Sequence, residues 1–140
     1  MGRDRIIYMA ADHGGWQKKN TLARWLADHG HRVIDLSPKK PWPTDDYPRM
    51  AVRLAKKVTR TQDTGILLCR SGVGMAMVAN KITGIRAVQG WSVGVARLSR
   101  HDENTNVLSL AADWHSPKEL VAITRAWLAE PFRPVGRHQR

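Results

Sequence analysis

The chain has 140 residues, 42% of them apolar and 25% charged, with a formal net charge of +11. That length suits one ordinary domain with a real core, and the composition excludes wholesale disorder and a coiled coil. No apolar run approaches the ~20 residues of a membrane span. The opening Met1–Arg5 leads into a run of strand length rather than a signal-peptide core, and Gly2 lacks the serine or threonine context of a myristoylation site. A soluble cytoplasmic protein with no membrane partner is therefore expected. The single cysteine excludes an internal disulfide framework, and no Cys/His spacing resembles a zinc site, so neither metal nor other cofactor is expected. The positive charge permits nucleic-acid or anionic-lipid binding and equally a site for phosphorylated metabolites. Its residues are spread along the chain apart from a modest cluster of Arg133, Arg137, His138 and Arg140. No recognition motif accompanies them, so no nucleic-acid partner is expected.

In chain order, Arg5 to Ala11 is a short buried-strand type of run ending at Asp12-His13-Gly14-Gly15. Leu22, Trp25 and Leu26 then give the spacing of an amphipathic helix that Gly30 stops. His31 to Leu36 reads as a second strand, and the proline-rich stretch 37–43 as a loop, with Pro41-Trp42-Pro43 a candidate lid. Ala51, Leu54, Ala55 and Val58 share one helical face. Gly65 to Cys69 is a continuous apolar run, as a central parallel strand requires, and runs through Arg70-Ser71-Gly72-Val73-Gly74-Met75 into a helix over 76–82. Strands are expected at 85–89 and 107–111, with a helix over 92–100 between them. A last helix carries Leu120, Ile123 and Trp127 and is opened by Ser116-Pro117.

This alternation predicts a single domain over residues 1–140, with 131–140 as a basic tail. Its class is α/β, a Rossmann-like three-layer αβα sandwich on a mainly parallel five-stranded sheet. Ligands in such folds sit beyond the carboxyl ends of the strands, where both Asp12-His13-Gly14-Gly15 and Cys69–Gly74 fall.

The glycine-rich turn after Cys69 exposes backbone N–H groups that suit a phosphate or developing oxyanion, although its G-x-G is too short for a dinucleotide fingerprint. Beside a helix N-terminus, the Cys69 thiol is expected to ionise more easily and to serve as nucleophile or base. The competing reading, a small core residue in an apolar strand, stands on position alone. Asp12 and His13 suit acid–base work in the crevice, or Asp12 simply caps the first helix. His29, His31 and His115 read as surface residues. The tryptophans read as core and interface material, with Trp91 and Trp114 near the crevice.

At these residues the chain resembles the type B ribose-5-phosphate isomerases and the LacA/LacB galactose-6-phosphate isomerases. The resemblance runs through Ala11-Asp12-His13-Gly14-Gly15, Val33-Ile34-Asp35-Leu36, Asp46-Tyr47-Pro48, Gly65–Cys69 and Ser71-Gly72-Val73-Gly74-Met75. It continues through Ala79-Asn80-Lys81, Gly84–Ala87, Ala96–Arg100, Asn106-Val107-Leu108 and Gly136-Arg137-His138, in family order over nearly the whole chain. It implies aldose–ketose isomerisation without a metal: Cys69 removes the proton beside the carbonyl to give an ene-diol(ate). Ser71 and the N–H groups around Gly72, Val73 and Gly74 stabilise its oxygens. Asp12, His13 and Tyr47 contact the sugar, Arg137 and Arg140 its phosphate. The protein is expected to be a homodimer or homotetramer with sites shared between subunits.

Departures accompany the match. Where the family commonly reads Ser-Arg-Glu-His-Asn, this chain reads Ser99-Arg100-His101-Asp102-Glu103. Asp102 thus takes the place of the ring-opening histidine and Glu103 that of a substrate-binding asparagine, with His101 one residue away. Asp113 stands where a phosphate-binding arginine is usual, and Arg140 lies three residues after Arg137 instead of four. Arg70, at a position usually glycine, is the expected compensation. A sugar phosphate of the ribose 5-phosphate type is the expected substrate. An unphosphorylated or different sugar held by Asp113 and Glu103, and a silent sugar-binding descendant, are the alternatives.

Overall fold

The structure is a computed structural model that describes residues 5–40 and 46–139. The Pro41-Trp42-Pro43 stretch and Arg140 lie outside the described residues. Five strands, β1 (Ile6–Ala11), β2 (Arg32–Asp35), β3 (Thr64–Cys69), β4 (Ala87–Gln89) and β5 (Val107–Ala111), form one sheet in the order β2-β1-β3-β5-β4. Every pairing is parallel, with Cys69 level with Ala111 across β3 and β5. Five helices alternate with them: α1 (Trp16–Asp28), α2 (Tyr47–Thr61), α3 (Val73–Ala79), α4 (Val93–Glu103) and α5 (Pro117–Ala129). A 3₁₀ turn, Gly136–Gln139, follows.

The two-residue period of the strands divides the core. Ile7, Met9, Ala11, Ile66, Leu68, Leu108 and Leu110 face α1, α4 and α5, where they meet Leu22, Leu26, Leu120 and Trp127. Tyr8, Ala10, Leu67 and Cys69 face α2 and α3, where they meet Leu54, Val58 and Met75. Both faces of β3 are covered, which explains its unbroken burial from Thr64 to Cys69.

Some boundaries depart from the sequence pattern. α3 begins at Val73, not 76, because Gly72 adopts φ +77° and turns the chain straight from strand into helix. It ends at Ala79 because the Asn80 side chain grips Ala87 from both sides, accepting its N–H at 2.7 Å and donating to its carbonyl at 2.9 Å. Asn106 likewise takes the Arg86 N–H at 2.8 Å, so β4 starts only at Ala87. α4 runs on to Glu103, where Asn104 ends it in a left-handed conformation. The capping box at Ser116 and Glu119 opens α5 as its sequence implies.

Trp127 is 1% exposed, and its indole N–H donates to Thr105 Oγ1 at 2.9 Å, tying α5 to the loop before β5. Trp127→Ala is expected to lose about 3–5 kcal/mol of stability in urea unfolding, from the cavity and the stranded hydroxyl together.

Candidate active site

The connection from β1 leads through α1 to one side of the sheet and that from β3 through α3 to the other, leaving a crevice between their carboxyl ends. Asp12, His13 and Gly14 line it from β1; Cys69, Arg70 and Ser71 from β3. Asp12 is buried and its Oδ1 accepts the Gly15 N–H at 3.0 Å, so it braces the turn rather than capping α1, whose N-cap is Gly15. His13 is exposed in the crevice mouth. Gly15 is required by space: a Cβ there would lie 2.6 Å from the Leu68 carbonyl oxygen.

Cys69 is 6% exposed, and its Sγ accepts the Gly72 N–H at 3.1 Å. Burial pushes the thiol above its ordinary value. The N–H groups of Gly72, Met75 and Ser71 pull it back only in part, and the Asp12 charge adds to the rise. This corrects the expectation of a lowered value: seating the sulfur in the core outweighs the donors around it. The Gly72 N–H also points at sulfur, not at a substrate oxygen, and the Val73 N–H donates to Ser71 Oγ at 3.2 Å.

The turn is held from below by groups that sequence reasoning missed. Ser109 Oγ donates to the Gly72 carbonyl at 2.6 Å, and Gln89 Nε2 donates to the Ser71 carbonyl at 2.7 Å. Both are polar residues in otherwise apolar strands, the one signal that would have marked them. Lys18 donates to the carbonyls of Ala112 and His115 at 2.5 and 2.7 Å, fixing the turn after β5. His115 itself is buried, contrary to its surface reading, with Nε2 2.8 Å from the Trp91 carbonyl. Trp91 and Trp114 are exposed and paired, ring centroids 5.8 Å apart. Tyr47 reaches the site from the start of α2, its ring where a Cβ on Gly74 would sit, 2.7 Å from Cε2.

Asp113 ends at the same crevice and its charge is not bare. Arg70 Nη1 lies 3.2 Å from Asp113 Oδ2, and the arginine stem lies over Gly14, where a Cβ would come within 2.6 Å of Cγ.

The remaining candidates lie elsewhere. α4 returns from the carboxyl end of β4 to the amino end of β5, a length of about 16 Å. His101, Asp102 and Glu103 at its end are therefore across the sheet from Cys69. There His101 Nδ1 is 2.8 Å from Asp102 Oδ1, and His138 Nδ1 is 3.2 Å from Glu103 Oε1. The His101 hydrogen bond, with His138, His101 and Arg137 nearby, holds the Asp102 carboxyl below its ordinary value. Within one chain the two groups do not meet. Among the described residues, no group of three or more His, Cys, Asp or Glu side chains is placed to hold a metal ion. No described helix is long and apolar enough to cross a membrane.

An α/β fold with a buried thiol and a glycine turn at the switch point defines a small sugar-isomerase class, and comparison agrees. Residues 7–140 match the Ribose/Galactose Isomerase family. The probable ribose-5-phosphate isomerase B of Mycoplasma genitalium is 38% identical over 96% of this chain and 89% of its own. The Escherichia coli ribose-5-phosphate isomerase B is 36% identical over 96% and 89%. The crystal structure of the Mycoplasma genitalium enzyme with bound ribulose-5-phosphate superimposes with a TM-score of 0.92, at 37% identity over 96% of this chain and 90% of that one. The Thermotoga maritima ribose 5-phosphate isomerase gives 0.92 at 31% identity, covering 97% and 93%. The chain belongs to the Ribose/Galactose Isomerase family. It is an aldose–ketose isomerase.

Asp12 raises the thiol through its charge, so Asp12→Asn is expected to move the thiolate titration, followed by absorbance near 240 nm, to lower pH. An unchanged or higher midpoint would show that burial alone sets it.

Proposed function

We infer that the chain interconverts ribose 5-phosphate and ribulose 5-phosphate in the cytoplasm, with Cys69 as the base. The observation that carries this is the thiol itself: buried, yet opening on the crevice and gripped by the Gly72 N–H. The proton on carbon 2 of the open-chain aldose passes to Sγ as the carbonyl electrons move onto O1. The resulting enediolate is reprotonated at carbon 1. Ionising so buried a thiol is uphill in the empty site, and the three backbone N–H groups near sulfur are the donors that stabilise the thiolate. Ser71 and the N–H groups of Val73 and Gly74 serve the enediolate oxygens, His13 and Asp12 the sugar hydroxyls, and Tyr47 closes the crevice side.

The phosphate end draws on both charge groups. Arg70 neutralises Asp113 and keeps further guanidinium N–H groups for an anion at the crevice mouth. Arg137 and Arg140, with His101, Asp102 and Glu103, belong to the site only if a second subunit brings them. Support for a homodimer comes from Met77 and Leu98, 63% and 60% exposed on the helices that flank edge strand β4. Val73 and Val95 extend the same apolar surface. A second copy would cover both the patch and the open sheet edge.

Ribose 5-phosphate is expected to turn over in a coupled assay while free ribose, allose and galactose do not; turnover of free sugars alone would assign Asp113 to a neutral substrate. Cys69→Ala is expected to be inactive but still to bind ribulose 5-phosphate. Mixing and refolding inactive Cys69→Ala with inactive Arg137→Ala chains is expected to restore about a quarter of the wild-type sites, since a symmetric mixed dimer carries one intact composite site. No recovery would confine each site to one subunit.

A further inference from the structure

The surplus positive charge, diffuse in the sequence, is concentrated by the fold. Along α2, Arg53, Lys56, Lys57 and Arg60 are all exposed, and with Arg49 they fall within an arc of about 100° on the helix wheel. The opposite side of the same helix carries Ala51, Leu54, Ala55 and Val58, buried to 0–1% exposure. α2 contains no acidic residue. None of the four cations forms an ion pair with a described residue, whereas Lys19, Arg70 and Arg86 each do. Arg53 with Lys57 and Lys56 with Arg60 are like-charge pairs at i, i+4, an arrangement that weakens a helix. Together with Leu36 they line an open groove of about 270 Å³. None of these residues touches the isomerase crevice.

We propose that this face of α2 is a sequence-independent nucleic-acid-binding surface, its four cations contacting successive phosphates of a single strand. The chemistry selects that partner. A second copy of the chain would bring the same positive face and be repelled. A bilayer would require apolar residues to enter the headgroup region, and those of α2 are committed to the core. A protein partner of useful affinity needs aromatic or large apolar anchors, and Leu36 is the only apolar side chain in the groove. A phosphate backbone needs only cations at regular intervals. The surface also borders the β2 side of the sheet, away from the apolar patch at β4, so it stays open in a dimer formed there.

The test is fluorescence anisotropy of a labelled 20-nucleotide uridine RNA with the full chain, between 50 and 200 mM salt. Binding is expected to weaken with a log–log salt slope of about −2.8, from four phosphate contacts on a single strand. The variant R53Q/K56Q/K57Q/R60Q is expected to lose at least about tenfold in affinity and most of that slope. Its isomerase activity and melting temperature should not fall. The milder R53Q/K57Q should lose about half the slope. A control neutralising exposed cations on other elements, R24Q/R32Q/K118Q/R125Q, is expected to keep tight binding. The proposal is overturned if the α2 variants bind like wild type, if the control loses as much, or if wild type does not bind at 50 mM salt. It is equally overturned if polyglutamate or phosphatidylserine vesicles are retained through α2 while RNA is not.

Discussion

The hydrogen bond from the Gly72 N–H to Cys69 Sγ is the contact on which the rest of the site hangs. It exists because β3 ends at Cys69 and α3 starts four residues later, an abrupt reversal that Gly72 makes at φ +77°. An L side chain there would be strained and would also meet the Leu110 carbonyl carbon at 3.0 Å. The same turn places Ser71 and Gly74 beside the sulfur and is pinned by Ser109 and Gln89 from neighbouring strands. Sheet order matters for that reason: β5 beside β3, and β4 beside β5, set both polar anchors under one loop.

Electrostatics at this centre work against the thiolate in the empty protein. Burial dominates, Asp12 adds to it, and the backbone donors recover part. Such a thiol stays protonated and unreactive until ligand binding changes its surroundings, which suits a base used only on bound substrate. Around the rim, Arg70 and Asp113 form a pair that is largely exposed, so its value lies in placing charge more than in stability. The Lys19–Asp35 pair is different: Lys19 is 1% exposed, and Asp35 also accepts the Ser37 N–H, while Ser37 Oγ takes the N–H of Ala11. That chain of bonds fixes the end of β1 from which Asp12 and His13 project.

Much of this was legible in the sequence because strong local signals agreed. The unbroken apolar run at Gly65–Cys69, the glycine turn after it and the Ser116 cap each have one good structural solution. What was not legible depended on contacts distant in sequence. Asn80 and Asn106 shorten α3 and β4 by bonding backbone across a turn and between strands, which no periodicity reports. His115 is buried by a fold that brings the β4 and β5 loops together. The thiol's direction was misjudged because helix-terminal donors are visible in sequence and the depth of burial is not. The split of the site residues between the two ends of the sheet follows from the β4–α4–β5 crossover, and only the sheet order shows that Asp102 and Cys69 stand apart in one chain.

The central claim, that Cys69 moves the proton between carbons 1 and 2, is tested most directly by isotope exchange. Ribose 5-phosphate incubated with the protein in deuterium oxide, followed by proton NMR at carbon 2, is predicted to take up deuterium with wild type and none with Cys69→Ala. Uptake by Cys69→Ala at the wild-type rate would contradict the account and place the base elsewhere in the crevice.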